Sequence, residues 1–387
     1  MKILFINLPY YGHVLPTIGL VRELIRQGCS VTYLLPFDWQ ETVSESGAAF
    51  HGYENSKRLS EQMKNAYAAA ENIVKEFDFI MYEQFFFLGK HLAEKYQKPV
   101  IRIFTAPATN DKLMKEFISA KGPLSVFRHK WIAKAFTKDI AKNISLKTDN
   151  WLDEIVCNPP ELNFVYTLRE YQPYEEEFSE ENYKFLGPSV YERKSAAFDF
   201  VKRENRVVYI SLGTVIKGKT AFFQTCIEAF QDENIDVIIS AGQKSNLKKM
   251  KNIPSNIHIY SSVPQIEVLK TADAFVTHGG MNSISEALVY GVPMLVIPFV
   301  SDQPTNAKYI EKLGVGKTSA YSEINRDTLK NTVFSIMADQ NIKNNLTQLQ
   351  KSIEKSSGNR GGAEMAIRYF KEKDYEIHQK SGRYEND

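Results

Sequence analysis

Short apolar runs alternate along the chain with longer segments whose apolar positions recur every three or four residues. Lys2–Leu8, Ser30–Leu35, Phe77–Tyr82 and Pro99–Phe104 read as strands, because a strand covered on both faces is a near-continuous apolar run. Leu15–Gln27 and Gly89–Tyr96 read as helices between them, with Pro16 near a helix start, where proline is tolerated, and Gly28 just past the end. A loop carrying Gly12 and His13 joins the first strand to the first helix. Between Pro107 and Asn158 helical segments dominate, and Ile155–Thr167 and Tyr183–Pro188 read as edge elements closing the first half. Ser189–Asn205 is polar and without period, a linker.

The alternation then begins again. Strands are expected at Arg206–Leu212, Asp236–Ala241, Asn256–Tyr260, Ala274–Thr277 and Pro293–Pro298. Helices are expected at Lys219–Gln231, Asn282–Tyr290, Gln303–Leu313, Asn325–Met337 and Ile342–Ser356, with a last one beginning near Gly361-Gly362. The pattern predicts an α/β protein of two doubly wound parallel sheets. The expected division is a first domain over 1–190, a second over 206–360, and a terminal helix and tail over 361–387. In such sheets ligands sit at the carboxyl ends of strands, so the chemistry is sought just after each strand.

Length agrees with this division, since 387 residues suit two domains. Lys plus Arg number 48 and Asp plus Glu 46, a net charge of +2. Without a long basic block, that balance gives no support to a nucleic-acid partner, whose affinity would rest on phosphate neutralisation. Cys29, Cys157 and Cys226 stand far apart; they offer neither a disulfide framework nor a zinc cage and suit a cytoplasmic location. Lys2 followed by Ile3–Ile6 imitates a signal peptide, but the run ends at Asn7-Leu8-Pro9 with no cleavage site after it. No uncharged apolar stretch is long enough to span a bilayer.

The strongest chemical signal is Thr277-His278-Gly279-Gly280-Met281-Asn282-Ser283 with Glu286, which follows an apolar strand and opens a helix. A helix N-terminus exposes unpaired N–H groups and the positive end of the helix dipole, and so attracts phosphate. The glycines allow close backbone approach, and His278, Asn282 and Ser283 add donors. Glu286 follows Asn282 by four residues on the same helix face, one turn beyond, where it suits ribose hydroxyls. A tight turn with a capped helix would explain the glycines, but not His278 and Glu286 together. Asp302-Gln303, at the next strand end, suits sugar hydroxyls; on its own it reads as an ordinary helix N-cap.

The run from His278 to Gln303, with Val263-Pro264-Gln265 and Ser211-Leu212-Gly213-Thr214 before it, resembles the donor-site signature of UDP-dependent glycosyltransferases. The likeness is greatest to the bacterial macrolide-type members. Gly12-His13-Val14-Leu15-Pro16 resembles that family's G-H-x-x-P loop, and Phe185-Leu186-Gly187-Pro188 the stretch preceding its interdomain linker. The resemblance implies the GT-B fold, two Rossmann-like domains facing across a cleft, with the final helix crossing back to the first. It implies that His278 contacts a donor phosphate while Thr214, Gly280, Asn282 and Ser283 hold the diphosphate. Glu286 would bind the ribose, Gln265 and the Val263 backbone the uracil, and Asp302 with Gln303 the transferred sugar. Ser262 departs from the pattern, standing where many members have a tryptophan beneath the base, which leaves uridine against thymidine open.

His13 is the candidate general base, its ordinary pKa near 6.5 suiting proton transfer at neutral pH. Members usually pair this histidine with an aspartate after a strand; here Phe77-Asp78-Phe79-Ile80-Met81-Tyr82 is followed by Glu83, the candidate orienting acid, with Asp78 at the far end of the strand. Proton removal from an acceptor hydroxyl and a single displacement at the anomeric carbon imply an inverting enzyme that transfers a hexose, glucose first among them. No two aspartates are spaced D-x-D, so no metal and no other cofactor is expected. Tyr10, Tyr11, Phe85, Phe86 and Phe87 cluster near His13 and Glu83 by the strand-end argument and are candidates for an apolar acceptor pocket.

The expected partners are a UDP-sugar donor and an apolar hydroxylated small molecule of the flavonoid, macrolide or sterol-like kind, with the chain a monomer or homodimer. One feature lies outside this scheme. Lys130, Lys134, Lys138 and Lys142 recur every four residues beside Phe127, Trp131, Phe136, Ile140 and Ile144. A solvated basic face over a core stripe is the commoner meaning; the alternative is peripheral membrane contact, and with it a membrane-lipid glycosyltransferase. A non-catalytic GT-B partner protein is the reading from another class, and the retention of His13 and the donor-site residues argues against it.

Overall fold

The computed structural model describes residues 1–144, 146, 150–190, 205–213, 216, 219–242 and 253–382. Two compact units divide the chain: residues 1–118, 126–191 and 356–387 form the first, and 119–125 with 192–355 the second.

The first unit is built on a seven-stranded sheet of order β3-β2-β1-β4-β5-β6-β7. Its strands are β1 (Lys2–Ile6), β2 (Ser30–Pro36), β3 (Ala49–Tyr53), β4 (Phe79–Glu83), β5 (Val100–Phe104), β6 (Leu162–Val165) and β7 (Tyr183–Phe185). Every pairing is parallel. β1, β4 and β5 are buried on both faces, which is why each reads as an unbroken apolar run. The edge element expected over Ile155–Thr167 is two elements: residues 155–157 end the helix Trp151–Cys157, and the strand starts only at Leu162. β6 lies inside the sheet, and β7 alone is the edge on that side.

The final helix, Gly358–Gly382, belongs to the first unit and packs on the helix Tyr11–Arg26. Contact is close enough that a Cβ on Gly19 would meet Asn359 Nδ2 at 2.2 Å. Farther along, Phe370 stacks on Phe79 with ring centroids 4.2 Å apart. Residues 119–125 go with the second unit, where the Ser301 N–H donates to the Lys121 carbonyl at 2.7 Å.

The second unit carries a six-stranded parallel sheet of order β10-β9-β8-β11-β12-β13. The strands are β8 (Arg206–Ser211), β9 (Ile235–Ser240), β10 (Ile257–Tyr260), β11 (Ala274–Thr277), β12 (Met294–Val296) and β13 (Gly316–Thr318). Helices Thr220–Phe230, Gln265–Leu269, Met281–Val289, Gln303–Lys312, Arg326–Ala338 and Gln340–Lys355 connect and cover them. Among the described residues no helix is long and apolar enough to cross a membrane.

Each sheet reverses its direction of build once. In the first the reversal falls between β1 and β4, in the second between β8 and β11. At such switch points the connections after neighbouring strands diverge and leave a crevice beyond the strand ends.

Candidate active site

The first crevice holds the predicted acid–base pair. Residues 12 and 13 are in helix, not loop, for the helix after β1 begins at Tyr11. His13 therefore stands in the first turn of that helix and Glu83 at the last position of β4. His13 Nδ1 lies 2.9 Å from Glu83 Oε1. The carboxylate is wholly buried, while the imidazole keeps partial access to solvent.

Two further donors hold the carboxylate. The Phe85 N–H donates to Glu83 Oε2 at 3.0 Å and the Thr105 hydroxyl to Oε1 at 3.2 Å. Thr105 Oγ1 is also 3.2 Å from His13 Nδ1. A buried carboxylate satisfied in this way accepts from Nδ1–H, and in that tautomer Nε2 is the basic nitrogen of the ring. Thr105, one residue beyond β5, was not found by sequence reasoning; a hydroxyl after the third adjacent strand end is the signal that could have shown it. Asp78, at the opposite end of its strand, accepts from the Lys2 backbone N–H at 2.8 Å.

The five candidate acceptor aromatics separate into two groups. Phe85 lies against the His13 ring at 4.3 Å, and Tyr10 packs edge-on to it at 5.9 Å. The Tyr10 hydroxyl donates to Gln62 at 2.9 Å. Tyr11 is exposed and packs on Trp39. Phe86 and Phe87 do not line the site: both are buried in the core, Phe87 against Trp151. The chain turns tightly after Glu83, with Phe86 N–H bonded back to the Glu83 carbonyl, so consecutive aromatics diverge.

The second crevice lies beyond β8 and β11. The helix Met281–Val289 starts from Gly280 with no side chain capping it, so its first N–H groups remain available to an anion. His278 is buried between two glycines: a Cβ on Gly213 would meet the ring at 2.5 Å and one on Gly280 at 2.6 Å. Burial pushes its pKa down to about 4, so the ring is neutral at physiological pH, and Nδ1 has no hydrogen-bond partner among the described residues.

Behind the helix start a polar network joins Gln265, Ser283 and Glu286. Gln265 Nε2 donates to Glu286 Oε2 at 2.6 Å and to Ser283 Oγ at 3.2 Å. The buried Tyr209 hydroxyl donates to Gln265 Oε1 at 3.1 Å and so fixes the orientation of the carboxamide. Asn282, half-buried, sits beside Ser283 in the helix's first turn, and Val263 lies in the connection just before Gln265. Thr214 lies outside the described residues.

Asp302 precedes the helix Gln303–Lys312 but does not cap it through its side chain. Its Oδ2 accepts from Asn306 Nδ2 at 2.8 Å, and that amide also donates to the Gly279 carbonyl at 2.9 Å. Asn306, which sequence reasoning missed, thus ties Asp302 to the glycine turn. Gln303 turns inward, its Oε1 accepting from the Phe299 and Val300 N–H groups at 2.9 and 3.0 Å. Ser301, between Val300 and Asp302, has φ of +58°, a conformation a non-glycine residue holds only where its surroundings impose it.

Two parallel-sheet Rossmann-like units, each gathering polar side chains at its switch point, are the architecture of the GT-B glycosyltransferases. Comparison with known proteins agrees. The profile of the family described as "UDP-glucoronosyl and UDP-glucosyl transferase" matches residues 191–356. An uncharacterized UDP-glucosyltransferase, YojK of Bacillus subtilis (strain 168), is 30% identical over 404 aligned positions, covering 96% of this chain and 98% of that protein. The NDP-glycosyltransferase YjiC of the same organism is 32% identical over 93% of this chain and 94% of its own length. Among solved structures, the glycotransferase of kitacinnamycin superposes with a TM-score of 0.82 at 24% identity, covering 95% of this chain and 99% of that one. The chain belongs to the UDP-glucosyltransferase family, and it is a UDP-sugar-dependent glycosyltransferase.

Proposed function

We propose that the enzyme transfers a hexose, glucose first, from its UDP-sugar to a hydroxyl of an apolar small molecule, with inversion and without a metal ion. The observation that carries this reading is the hydrogen-bonded set His13–Glu83–Thr105. With Nδ1–H donating to Glu83, Nε2 is the nitrogen that takes the proton of the acceptor hydroxyl in this reading. The oxygen then attacks the anomeric carbon as the bond to the diphosphate breaks. The imidazolium so formed is stabilised by the buried carboxylate. No enzyme carboxylate need attack the sugar, hence inversion.

The leaving diphosphate accumulates negative charge. The uncapped N–H groups at Met281–Ser283 and the helix dipole suit that charge, and diphosphate binding would give the orphaned His278 ring a partner. Glu286, oriented by Gln265, suits the ribose hydroxyls, and Asp302, held by Asn306, the transferred sugar. Phe85 and Tyr10 around His13 favour an apolar acceptor such as a flavonoid, macrolide or sterol-like molecule. The test is mass spectrometry of an acceptor panel incubated with UDP-glucose and competing sugar nucleotides, with and without EDTA. Glucosides formed equally in EDTA support the reading; a strict metal requirement, or preference for a different donor, contradicts it.

A further inference from the structure

The helix Lys130–Ile140 divides its surface sharply. At about 100° per residue, Ala133, Thr137 and Ile140 fall on one side and are buried. Phe136, half-buried beside them, packs on Phe127 and Trp151 with centroids 5.0 and 5.2 Å apart. The opposite arc carries Lys130, Trp131, Lys134, Ala135, Lys138 and Asp139, all exposed.

The charge on this arc is one-sided. Its one carboxylate, Asp139, is ion-paired with Lys64 at 2.9 Å, and that ammonium lowers its pKa. Arg128 and His129, just before the helix, are exposed as well. Trp131 is 73% exposed, more than any other large apolar side chain in the described structure, and Val126 is 47% exposed. An indole set among lysines is poorly explained as a merely solvated face, because the ring loses by facing water what the ammoniums gain.

We propose that this face docks on an anionic lipid surface, with Trp131 and Val126 entering the headgroup boundary and Arg128, Lys130, Lys134 and Lys138 lying against anionic headgroups. Indole rings favour that boundary because one part is apolar and the N–H stays wet, and basic side chains near such a surface are attracted within a Debye length. A single helix with one aromatic anchor binds reversibly, as suits an enzyme that visits a membrane to collect apolar acceptors dissolved in it. This face uses none of the residues assigned to catalysis or donor binding; only its purpose rests on the acceptor reading above, and vesicle binding is tested without it.

The full chain is mixed with vesicles of phosphatidylcholine alone or with one-third phosphatidylserine, and tryptophan emission is recorded. Trp39 and Trp151 are 6% and 2% exposed, so a change in solvent contact reports Trp131. The expected result is a blue shift and protection from acrylamide with phosphatidylserine, reversed at about 0.5 M salt and absent in Trp131→Phe. The triple variant Lys130→Ser, Lys134→Ser, Lys138→Ser should lose at least tenfold in vesicle partition while transferring sugar to a soluble acceptor at the native rate, which excludes misfolding. No shift, an equal shift with phosphatidylcholine alone, or unchanged partition of the triple variant would overturn the proposal. So would self-association in the absence of lipid that the triple variant abolishes, since the face would then serve a second copy of the chain.

Discussion

Exchanging Glu83 for glutamine preserves shape, removes one charge and reverses the hydrogen bond on which His13 depends. The carboxylate accepts from His13 Nδ1, from the Thr105 hydroxyl and from the Phe85 N–H. A carboxamide has a single acceptor oxygen. Turned to keep the Phe85 bond at the Oε2 position, it places its NH2 at the Oε1 position against both His13 Nδ1 and Thr105, which moves the imidazole proton to Nε2 and blocks the atom proposed to take the acceptor's proton. The imidazolium also loses its buried counter-charge. At about 4 Å between charge centres and an effective dielectric constant near 20, that attraction is about 4 kcal/mol. Such a loss corresponds to about 10³ in rate, inside the range of about 10²–10⁴ for general-base catalysis. Initial rates at saturating donor and acceptor should therefore show kcat lowered by about 10³, with UDP affinity unchanged by calorimetry. Thr105→Val, which removes one hydrogen bond to the buried carboxylate worth about 1.5–3 kcal/mol, should lower kcat by about tenfold to a hundredfold and displace its pH profile, with Thr105→Ser restoring both. If the glutamine variant folds and keeps kcat within fivefold of native, Glu83 does not orient the base.

Other expectations follow from the second crevice and from the aromatic residues. His278, lowered to about 4 by burial, binds a proton below about pH 6.5 only in the unfolded chain, so its contribution is complete above that pH and declines as pH falls towards 4. Urea unfolding at pH 5 should show native protein losing about 2 kcal/mol relative to pH 7 that His278→Gln does not lose; equal losses would contradict the burial argument. Gly280→Ala keeps an allowed backbone but drives a methyl into the His278 ring, and UDP affinity by calorimetry should fall at least tenfold, about 1.4 kcal/mol or more. Phe86→Ala should lower unfolding free energy by about 3–5 kcal/mol without changing acceptor preference, whereas Phe85→Ala should alter acceptor KM with little loss of stability.

The doubly wound sheets were legible because their central strands are covered on both faces and so are written as unbroken apolar runs. β3 and β13 were not: Ala49–Tyr53 is partly exposed at a sheet edge, and Gly316–Thr318 is three residues long. The helix Leu59–Ile73 escaped because its inner face, Gln62, Met63, Ala66, Tyr67 and Ala70, has helical spacing but is made largely of small or polar side chains that stand out little from their neighbours. The residues proposed to meet the donor, His278 and Glu286, were readable from local order, because they lie within a few residues of one strand end and the helix it opens. Residues that meet only through pairing of distant strands were not, and Thr105 and Tyr209 are of that kind; Asn306, four residues after Asp302, was missed although helical spacing brings the two together. Strand-end proximity also brought in Phe86 and Phe87, because no sequence rule reveals which way consecutive aromatics point out of a tight turn.

Removal of the acceptor proton by His13 in an inverting transfer is tested most directly by its product. Native enzyme and His13→Ala are incubated with an acceptor and UDP-glucose, and the product is analysed by mass spectrometry and by the anomeric proton coupling in NMR. The native enzyme should yield a β-glucoside, and the variant should lose product by about 10²-fold or more with UDP affinity unchanged. An α-glucoside, or full activity in His13→Ala, would contradict this mechanism.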